Sequence, residues 1–150
     1  MTVTRRRVLG ALGLIGAASA GIVELLRGRA VPALGVTRLV EHYGPGARQL
    51  GEWWAPARTG LLPAVVLVHG GYWRPSYDRH LEDALAADLS GRGFLVWNVD
   101  YAPASWPGTL ADTAAAYDAT FTGAFADRVD RARVAVVGHS AGGHLALWLA

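Results

Sequence analysis

The sequence predicts an α/β fold in which a mostly parallel β-sheet carries helices on both faces. Three short runs, at 64–68, 94–99 and 133–137, are mostly apolar, and the first of them shows no alternation with polar residues. Such runs are typical of strands that are buried on both sides. A segment with helical character follows each run, and this alternation of strand and helix specifies a parallel sheet.

Two further β-prone segments precede the first apolar run. They span Val36–His42 and Gln49–Trp54, and the turn-forming sequence Gly44-Pro45-Gly46 lies between them. We therefore expect two antiparallel strands at an edge of the sheet. Of the adjacent Trp53 and Trp54, one should face the core and the other outward, because successive side chains of a strand alternate.

The segments after the apolar runs predict helices over 78–90, over 110–125 and from Ala141 onward. The first of these has an apolar stripe at helical spacing. Its members are Leu81, Ala84, Leu85 and Leu89. Thr109 and Asp112 have the spacing of a capping box for the second helix. Trp97 and Trp148 are expected to lie in the core.

Composition and charge exclude several classes of function. The 150-residue chain suits one domain, with 52% hydrophobic and 17% charged residues and no cysteine. Disulfides, thiolate catalysis and cysteine-ligated zinc are therefore excluded. Three of the 14 arginines lie at Arg5–Arg7, so the residues after position 20 have 11 arginines against 12 acidic residues, a net charge of −1. Because residues 21–150 carry no net positive charge, we expect no nucleic-acid partner.

The N-terminus has the features of an export signal. Arg5–Arg7 precede a short, glycine-rich apolar run, and Ala18-Ser19-Ala20 forms a small-x-small cleavage site. The paired arginines resemble those of a twin-arginine signal. We therefore predict a signal peptide over 1–20 and a secreted protein, periplasmic or extracellular.

The alternative for the N-terminus is an uncleaved membrane anchor. The uncharged run that ends before Glu24 has about 16 residues, fewer than the ~20 that a spanning helix needs. No stable membrane span is therefore expected once the signal is cleaved. The predicted organisation continues with a linker over 21–35 and the main domain over 36–150.

The sequence Gly138-His139-Ser140-Ala141-Gly142 is a G-x-S-x-G motif that follows a buried run and opens a helix. A sharp turn from strand to helix would lift the Ser140 hydroxyl clear of the sheet, and the flanking glycines would leave room for it. The N-terminus of the helix would point N–H groups toward a developing oxyanion. Ser140 is thus a candidate nucleophile. The alternative is a glycine-rich turn whose serine is an inert cap.

A second motif, His69-Gly70-Gly71-Tyr72-Trp73, directly follows the apolar run at 64–68. Its two glycines let the backbone approach a ligand and present N–H groups to it. Together with the serine motif, it resembles the α/β-hydrolases, in the branch shared by hormone-sensitive-lipase-like esterases and arylformamidases. The resemblance covers nearly all of 36–150, which matches the first half of such a domain.

This resemblance implies a serine hydrolase that cleaves a carboxylic ester or amide of a small molecule, with no cofactor and no metal. It places an oxyanion hole around Gly70, Gly71 and Tyr72, completed by the Ala141 N–H. Tyr72 stands where many such esterases have a third glycine. His69 is implied to shape the loop rather than to act as a base, and Trp73 either lines the substrate pocket or packs within the loop.

An acid and a histidine should follow the nucleophile in this class. After Ser140 the sequence has only His144, on the same predicted helix, and no carboxylate; Asp100 precedes the nucleophile. His144 is expected to be a surface or packing residue. We therefore expect that the chain is truncated at its C-terminus and shows no turnover by itself. The alternatives are a serine peptidase of prolyl-oligopeptidase type, and an inactive fragment or non-catalytic relative.

Overall fold

The computed structural model describes residues 35–103 and 106–150. The predicted signal peptide at 1–20 lies outside these residues, and so does the predicted linker except for Gly35. The described residues belong to one compact unit. Within them, no helix combines the length and the apolar character needed to cross a membrane.

The described residues form five strands, three α-helices and two short 3-10 helices. The strands are β1 (Val36–His42), β2 (Leu50–Pro56), β3 (Leu62–Val68), β4 (Leu95–Val99) and β5 (Val129–Gly138). The α-helices are α1 (Asp83–Gly91), α2 (Gly108–Ala119) and α3 (Ala141–Leu149). The 3-10 helices span Arg79–Glu82, just before α1, and Ala126–Arg128, just before β5.

The five strands form one sheet in the order β1-β2-β4-β3-β5. Strand β3 pairs in parallel with both β4 and β5, whereas β2 pairs antiparallel with β1 and β4. The predicted α/β class and the antiparallel pair at the edge are thus confirmed. In the pairing of β3 with β5, Val68 lies opposite Gly138. The residues that follow these two strands therefore meet at one edge of the sheet.

Both faces of the sheet are covered along its three central strands, β2, β4 and β3. On one face Trp53 stacks on Trp97 with ring centroids 4.6 Å apart, and the Trp97 indole N–H donates to the Ala116 carbonyl at 2.9 Å. Trp54 lies on the other face, where the Arg38 guanidinium sits 3.9 Å above its ring. The two tryptophans alternate as expected. However, the prediction that one of them faces outward is wrong, because the second face is also packed.

The predicted helix over 78–90 is a 3-10 helix followed by α1, and of its apolar stripe only Leu89 packs against the core. Leu81 is 52% exposed, and Leu85 is also exposed. Helix α1 instead buries Ala86 and Ser90, and the Ser90 hydroxyl donates to the Trp54 carbonyl at 3.2 Å. The large Trp54 side chain occupies this face, so the helix approaches it through small residues.

Helix α2 ends at Ala119, before the predicted limit at Phe125, although Phe121 and Phe125 still pack against the core from the turns that follow. Thr109 and Asp112 do not cap the helix. The Thr109 hydroxyl donates to the Ala102 carbonyl at 2.8 Å, and the Asp112 carboxylate accepts the Ala102 N–H at 2.9 Å. These two hydrogen bonds hold α2 against the segment that follows β4.

Strand β5 is less buried than its apolar sequence predicts. Among the described strands it pairs only with β3, and several of its residues are exposed, Val137 among them. Trp148 on the neighbouring α3 is 47% exposed, so its expected place in the core is also wrong. Both differences arise because no described element covers the outer side of β5 and α3.

Candidate active site

Ser140 lies in the sharp turn between β5 and α3, with a backbone φ of 52° and ψ of −116°. A positive φ is unusual for a residue with a side chain and costs roughly 1–3 kcal/mol, so the surrounding structure must hold the turn. The neighbouring glycines allow this turn because they have no side chains to collide with the backbone around it. A methyl group on Gly138 would lie 2.1 Å from the Gly142 carbonyl oxygen, and one on Gly142 would lie 2.0 Å from the Val68 carbonyl oxygen.

Helix α3 begins at Ala141, directly after the serine. The Gly142 N–H donates to the His139 carbonyl at 2.9 Å, and the His144 N–H donates to the Ser140 carbonyl at 3.2 Å. Within the described part of the chain, the Ala141 N–H donates to no backbone carbonyl. It is therefore available to an anion at the positive end of the helix.

The segment after β3 makes a tight turn opposite the serine. The Arg74 N–H donates to the Gly71 carbonyl at 3.0 Å, and the two central residues, Tyr72 and Trp73, have φ values of 56° and 53°. Turns with two left-handed central residues usually contain glycine or asparagine. Two consecutive aromatic residues in this conformation are strained, which is a feature of ligand-binding segments.

The two turns lie against each other. A methyl group on Gly70 would be 3.2 Å from Ser140 Cβ and 2.7 Å from the His139 carbonyl oxygen. Tyr72, Trp73, Ser140 and Ala141 line one open cavity of about 280 Å³. The structure thus brings together the two motifs that the sequence singled out.

Two of the residues that line this cavity are aromatic, and a further ring, that of His144, lies near Trp73. Tyr72 is 77% exposed, whereas Trp73 is partly buried and packs against the core. The His144 ring meets Trp73 edge-to-face at 5.8 Å, and the exposed Trp106 lies 6.4 Å from His144. Trp73 lines the cavity and also packs against the core, and its role in a substrate pocket stays a prediction. His144 is an exposed residue in contact with aromatic rings, as expected.

His69 is 1% exposed and lies beneath the loop that it begins. Its Nδ1–H donates to the Gly70 carbonyl oxygen at 2.6 Å, because a carbonyl can only accept. The Tyr101 hydroxyl donates to the His69 carbonyl at 3.0 Å, and the two rings stack at 4.4 Å. Burial raises the pKa of Tyr101 to about 12, so this hydroxyl keeps its proton near neutral pH. The placement supports a role for His69 in shaping the loop, which stays a prediction.

Sequence reasoning missed the part played by Asp100, which ends β4 and is 2% exposed. Its carboxylate accepts the Arg79 backbone N–H at 2.9 Å and the Arg79 guanidinium at 3.1 Å, and lies 3.4 Å from His69 Nε2. Burial alone would raise the pKa of Asp100. The contact with His69, the Arg79 N–H and the Arg48 charge together hold this pKa below its usual range. The one signal in the sequence was its position directly after a predicted buried strand.

In residues 35–103 and 106–150, no histidine or carboxylate hydrogen-bonds the Ser140 hydroxyl. His144 lies one helical turn after the serine, with its ring beside Trp73. The same residues contain no group of three or more histidine or acidic side chains placed to hold a metal ion. The described part of the site thus consists of a serine, two backbone turns and an aromatic rim.

The sequence matches a protein-family model over residues 53–150, which is more than half of the chain, and the family is BD-FAE. The chain belongs to the BD-FAE family. The matched range includes both turns of the site. No curated protein matches the sequence significantly.

Several solved esterase structures are similar to the BD-FAE chain. A bacterial heroin esterase shares 26% identity with a TM-score of 0.64, over 87% of this chain and 43% of that one. An esterase from Pyrobaculum calidifontis shares 28% identity with a TM-score of 0.60, over 87% and 42%. Esterase B from Lactobacillus rhamnosis, at 24% identity, shares the fold with a TM-score of 0.67, over 93% and 48%. The chain has the expected α/β-hydrolase fold and spans less than half the length of these structures.

We expect that replacement of Gly142 by alanine destabilises the protein by about 1–3 kcal/mol or more, because the added methyl group collides with the Val68 carbonyl. Gly91→Ala is the matched control, since nothing lies within 4 Å of a methyl group there. Alanine at that position should leave the free energy of unfolding unchanged or raise it by up to ~1 kcal/mol. Urea denaturation of the two full-length variants measures the difference, and equal midpoints would contradict the packing of the turn.

The lowered pKa of Asp100 predicts a loss of stability in acid. Its pKa is lower in the folded state than the ordinary value of about 3.9, so the unfolded chain takes up the proton first as the pH falls. The free energy of unfolding should therefore decrease below about pH 5. Asp100→Asn should make this decrease shallower, whereas Asp118→Asn, at an exposed position of α2, should leave it unchanged. Denaturation at a series of pH values checks the slopes, and an unaltered slope in Asp100→Asn would refute the assignment.

Proposed function

We propose that this BD-FAE protein is a serine hydrolase that cleaves a carboxylic ester of a small molecule, with Ser140 as the nucleophile. The observation that carries the proposal is the strained, exposed Ser140 at the β5–α3 turn, opposite the loop after β3 across a cavity of about 280 Å³. This is the geometry that a nucleophile elbow requires. The similarity to solved esterases favours an ester over an amide or peptide substrate.

In the proposed reaction, Ser140 Oγ attacks the carbonyl carbon of the ester while a general base removes the hydroxyl proton. The electron pair of the carbonyl bond moves to its oxygen, and the resulting oxyanion lies near the Ala141 N–H and the N–H groups of Gly71 and Tyr72. Collapse of this intermediate breaks the bond to the alcohol oxygen, which receives the proton from the base. Water then hydrolyses the acyl-serine by the same steps. This route needs no cofactor.

The base and the acid that orients it are proposed to come from outside the described residues. Two observations support this. No described histidine or carboxylate hydrogen-bonds the Ser140 hydroxyl, and the chain spans 43% of the heroin esterase structure and 42% of the Pyrobaculum esterase. The order serine, acid, histidine along the chain is the one that this fold uses.

Ser140→Ala in the full-length protein should lower kcat for p-nitrophenyl esters by roughly 10⁴- to 10⁶-fold, because the acyl-enzyme can no longer form. The matched control is Ser76→Ala, at an exposed position of the loop after β3, which should keep wild-type kcat. A phosphonate inhibitor should add its mass to the peptide that contains Ser140. N-formylkynurenine, assayed in parallel, separates an esterase from a formamidase.

The proposal of a serine nucleophile fails if Ser140→Ala retains activity, or if the phosphonate labels another residue of a folded, active protein. Faster turnover of N-formylkynurenine than of every ester would keep the nucleophile but replace the substrate class. The two parts of the proposal are thus tested separately.

We also propose that the protein is exported through a twin-arginine signal at its N-terminus. The support is the sequence Arg5-Arg6-Arg7 before an apolar run and a small-x-small site. Replacement of all three arginines by lysine keeps the charge but should abolish export, whereas Arg27→Lys with Arg29→Lys should not. Cell fractionation measures export, and N-terminal sequencing of the mature protein should begin at Gly21. Equal export of both variants would refute the signal.

A further inference from the structure

Asp100 is a buried charge that the proposed reaction does not use. A carboxylate with 2% exposure is costly unless it is paired and hydrogen-bonded. Its partners come from three different segments: Arg48 between β1 and β2, His69 after β3, and Arg79 before α1. The Asp100 N–H also donates to the Leu50 carbonyl at 2.9 Å. One side chain thus connects the segments around the carboxyl ends of β3 and β4.

The contact that matters for the site is the one with His69. Asp100 Oδ1 faces His69 Nε2 at 3.4 Å, and the opposite ring nitrogen, Nδ1, donates to the Gly70 carbonyl at 2.6 Å. The imidazole is therefore held by a hydrogen bond at Nδ1, with the Asp100 carboxylate 3.4 Å from Nε2, and the Tyr101 ring stacks on it at 4.4 Å with the planes 8° apart. Rotation of this ring would break the hydrogen bond that fixes the Gly70 peptide.

The Gly70 peptide in turn lies against the nucleophile. A methyl group on Gly70 would lie 3.2 Å from Ser140 Cβ, so this glycine backbone packs closely beside the serine. The strained turn at Tyr72 and Trp73 follows immediately. Oxyanion donors must lie within a few tenths of an ångström of their working positions, and a displacement of 1 Å can cost ~100-fold in rate.

We propose that Asp100 is a positioning residue that acts through His69 to hold the Gly70–Trp73 loop, with its oxyanion donors, opposite Ser140. The proposal rests on the proposed serine hydrolase function for its kinetic consequence, but not for the geometry. It differs from a purely structural role of Asp100 as an ion pair for Arg48 and Arg79. A structural role would lower stability and leave the loop and the chemical step unchanged in the folded protein.

The main test is Asp100→Asn in the full-length protein, since asparagine keeps the size and can still accept the Arg79 N–H. We expect kcat for p-nitrophenyl esters to fall 10- to 100-fold with KM within about threefold, because the change affects the transition state more than ground-state binding. The control is Asp112→Asn, another buried carboxylate, which accepts the Ala102 N–H at 2.9 Å and the Gln49 amide at 2.6 Å. It should keep wild-type kcat.

A double-variant cycle tests whether Asp100 acts through His69. In a His69→Ala background, Asp100→Asn should lower kcat by less than about twofold, because the connection is already broken. An equal loss of kcat in both backgrounds would overturn the proposal. So would a loss of kcat in Asp112→Asn as large as that in Asp100→Asn.

A readout independent of activity separates this proposal from the proposed function. In ¹H–¹⁵N spectra of the full-length protein, Asp100→Asn should shift the amide signals of Gly70 and Gly71 and the Nδ1–H signal of His69. Asp112→Asn should leave all three unchanged. If the wild-type protein has no esterase activity, the proposed function fails. The spectra alone then decide whether Asp100 positions the loop. Unmoved loop signals in Asp100→Asn would refute the positioning role whatever the activity.

If Asp100→Asn does not fold, His69→Asn tests the same connection from the other side. The asparagine amide can still donate to the Gly70 carbonyl, but the atom that faces Asp100 is removed. The proposal expects the same 10- to 100-fold loss of kcat and shifted signals of Gly70 and Gly71. Wild-type kcat and unmoved signals in this variant would overturn it.

Discussion

The site depends on the close approach of two backbone turns at the carboxyl ends of β3 and β5. Their parallel pairing sets Val68 opposite Gly138, and the first turn of α3 then packs against the end of β3 with no side chain between them. This contact puts Ser140 beside the loop that begins at His69. Ser140, Tyr72 and Trp73 all have positive φ values, and such strain persists where the surrounding packing holds the backbone in place.

Much of the fold could be predicted because burial on both faces removes polar residues from a strand. That effect located β3 and β4 and predicted the parallel arrangement. It overestimated the burial of β5, whose segment 134–137 is equally apolar although the strand is partly exposed. The buried face of a helix was harder to predict, because it depends on the side chains of the sheet against which the helix packs. Beside Trp54, α1 buries Ala86 and Ser90 completely and Leu89 in part, whereas its Leu85 is exposed.

The candidate site was predictable where its chemistry follows from local sequence. A glycine-flanked serine between a strand and a helix, and two glycines after a strand, are local patterns. Asp100 was not predictable as part of the site, because its partners are distant along the chain and meet only when β3 and β4 pair. Asp100 also precedes Ser140 in the sequence, whereas the catalytic acid of this fold follows the nucleophile. A residue can support a site without belonging to the reacting set.

Strand β5 has an uneven outer edge. Its first half carries Arg131 and Arg133, and charged side chains on an edge strand discourage another strand from pairing with it. Its second half, Val134–Val137, carries no charge and leads directly to the serine turn. Among the described strands, the part of the β5 edge that lies nearest the nucleophile therefore carries no charged side chain. A strand that pairs with β5 on this side would lie beside the serine turn. The residues Val134–Val137 therefore affect both the solubility of the sheet edge and the shape of the site.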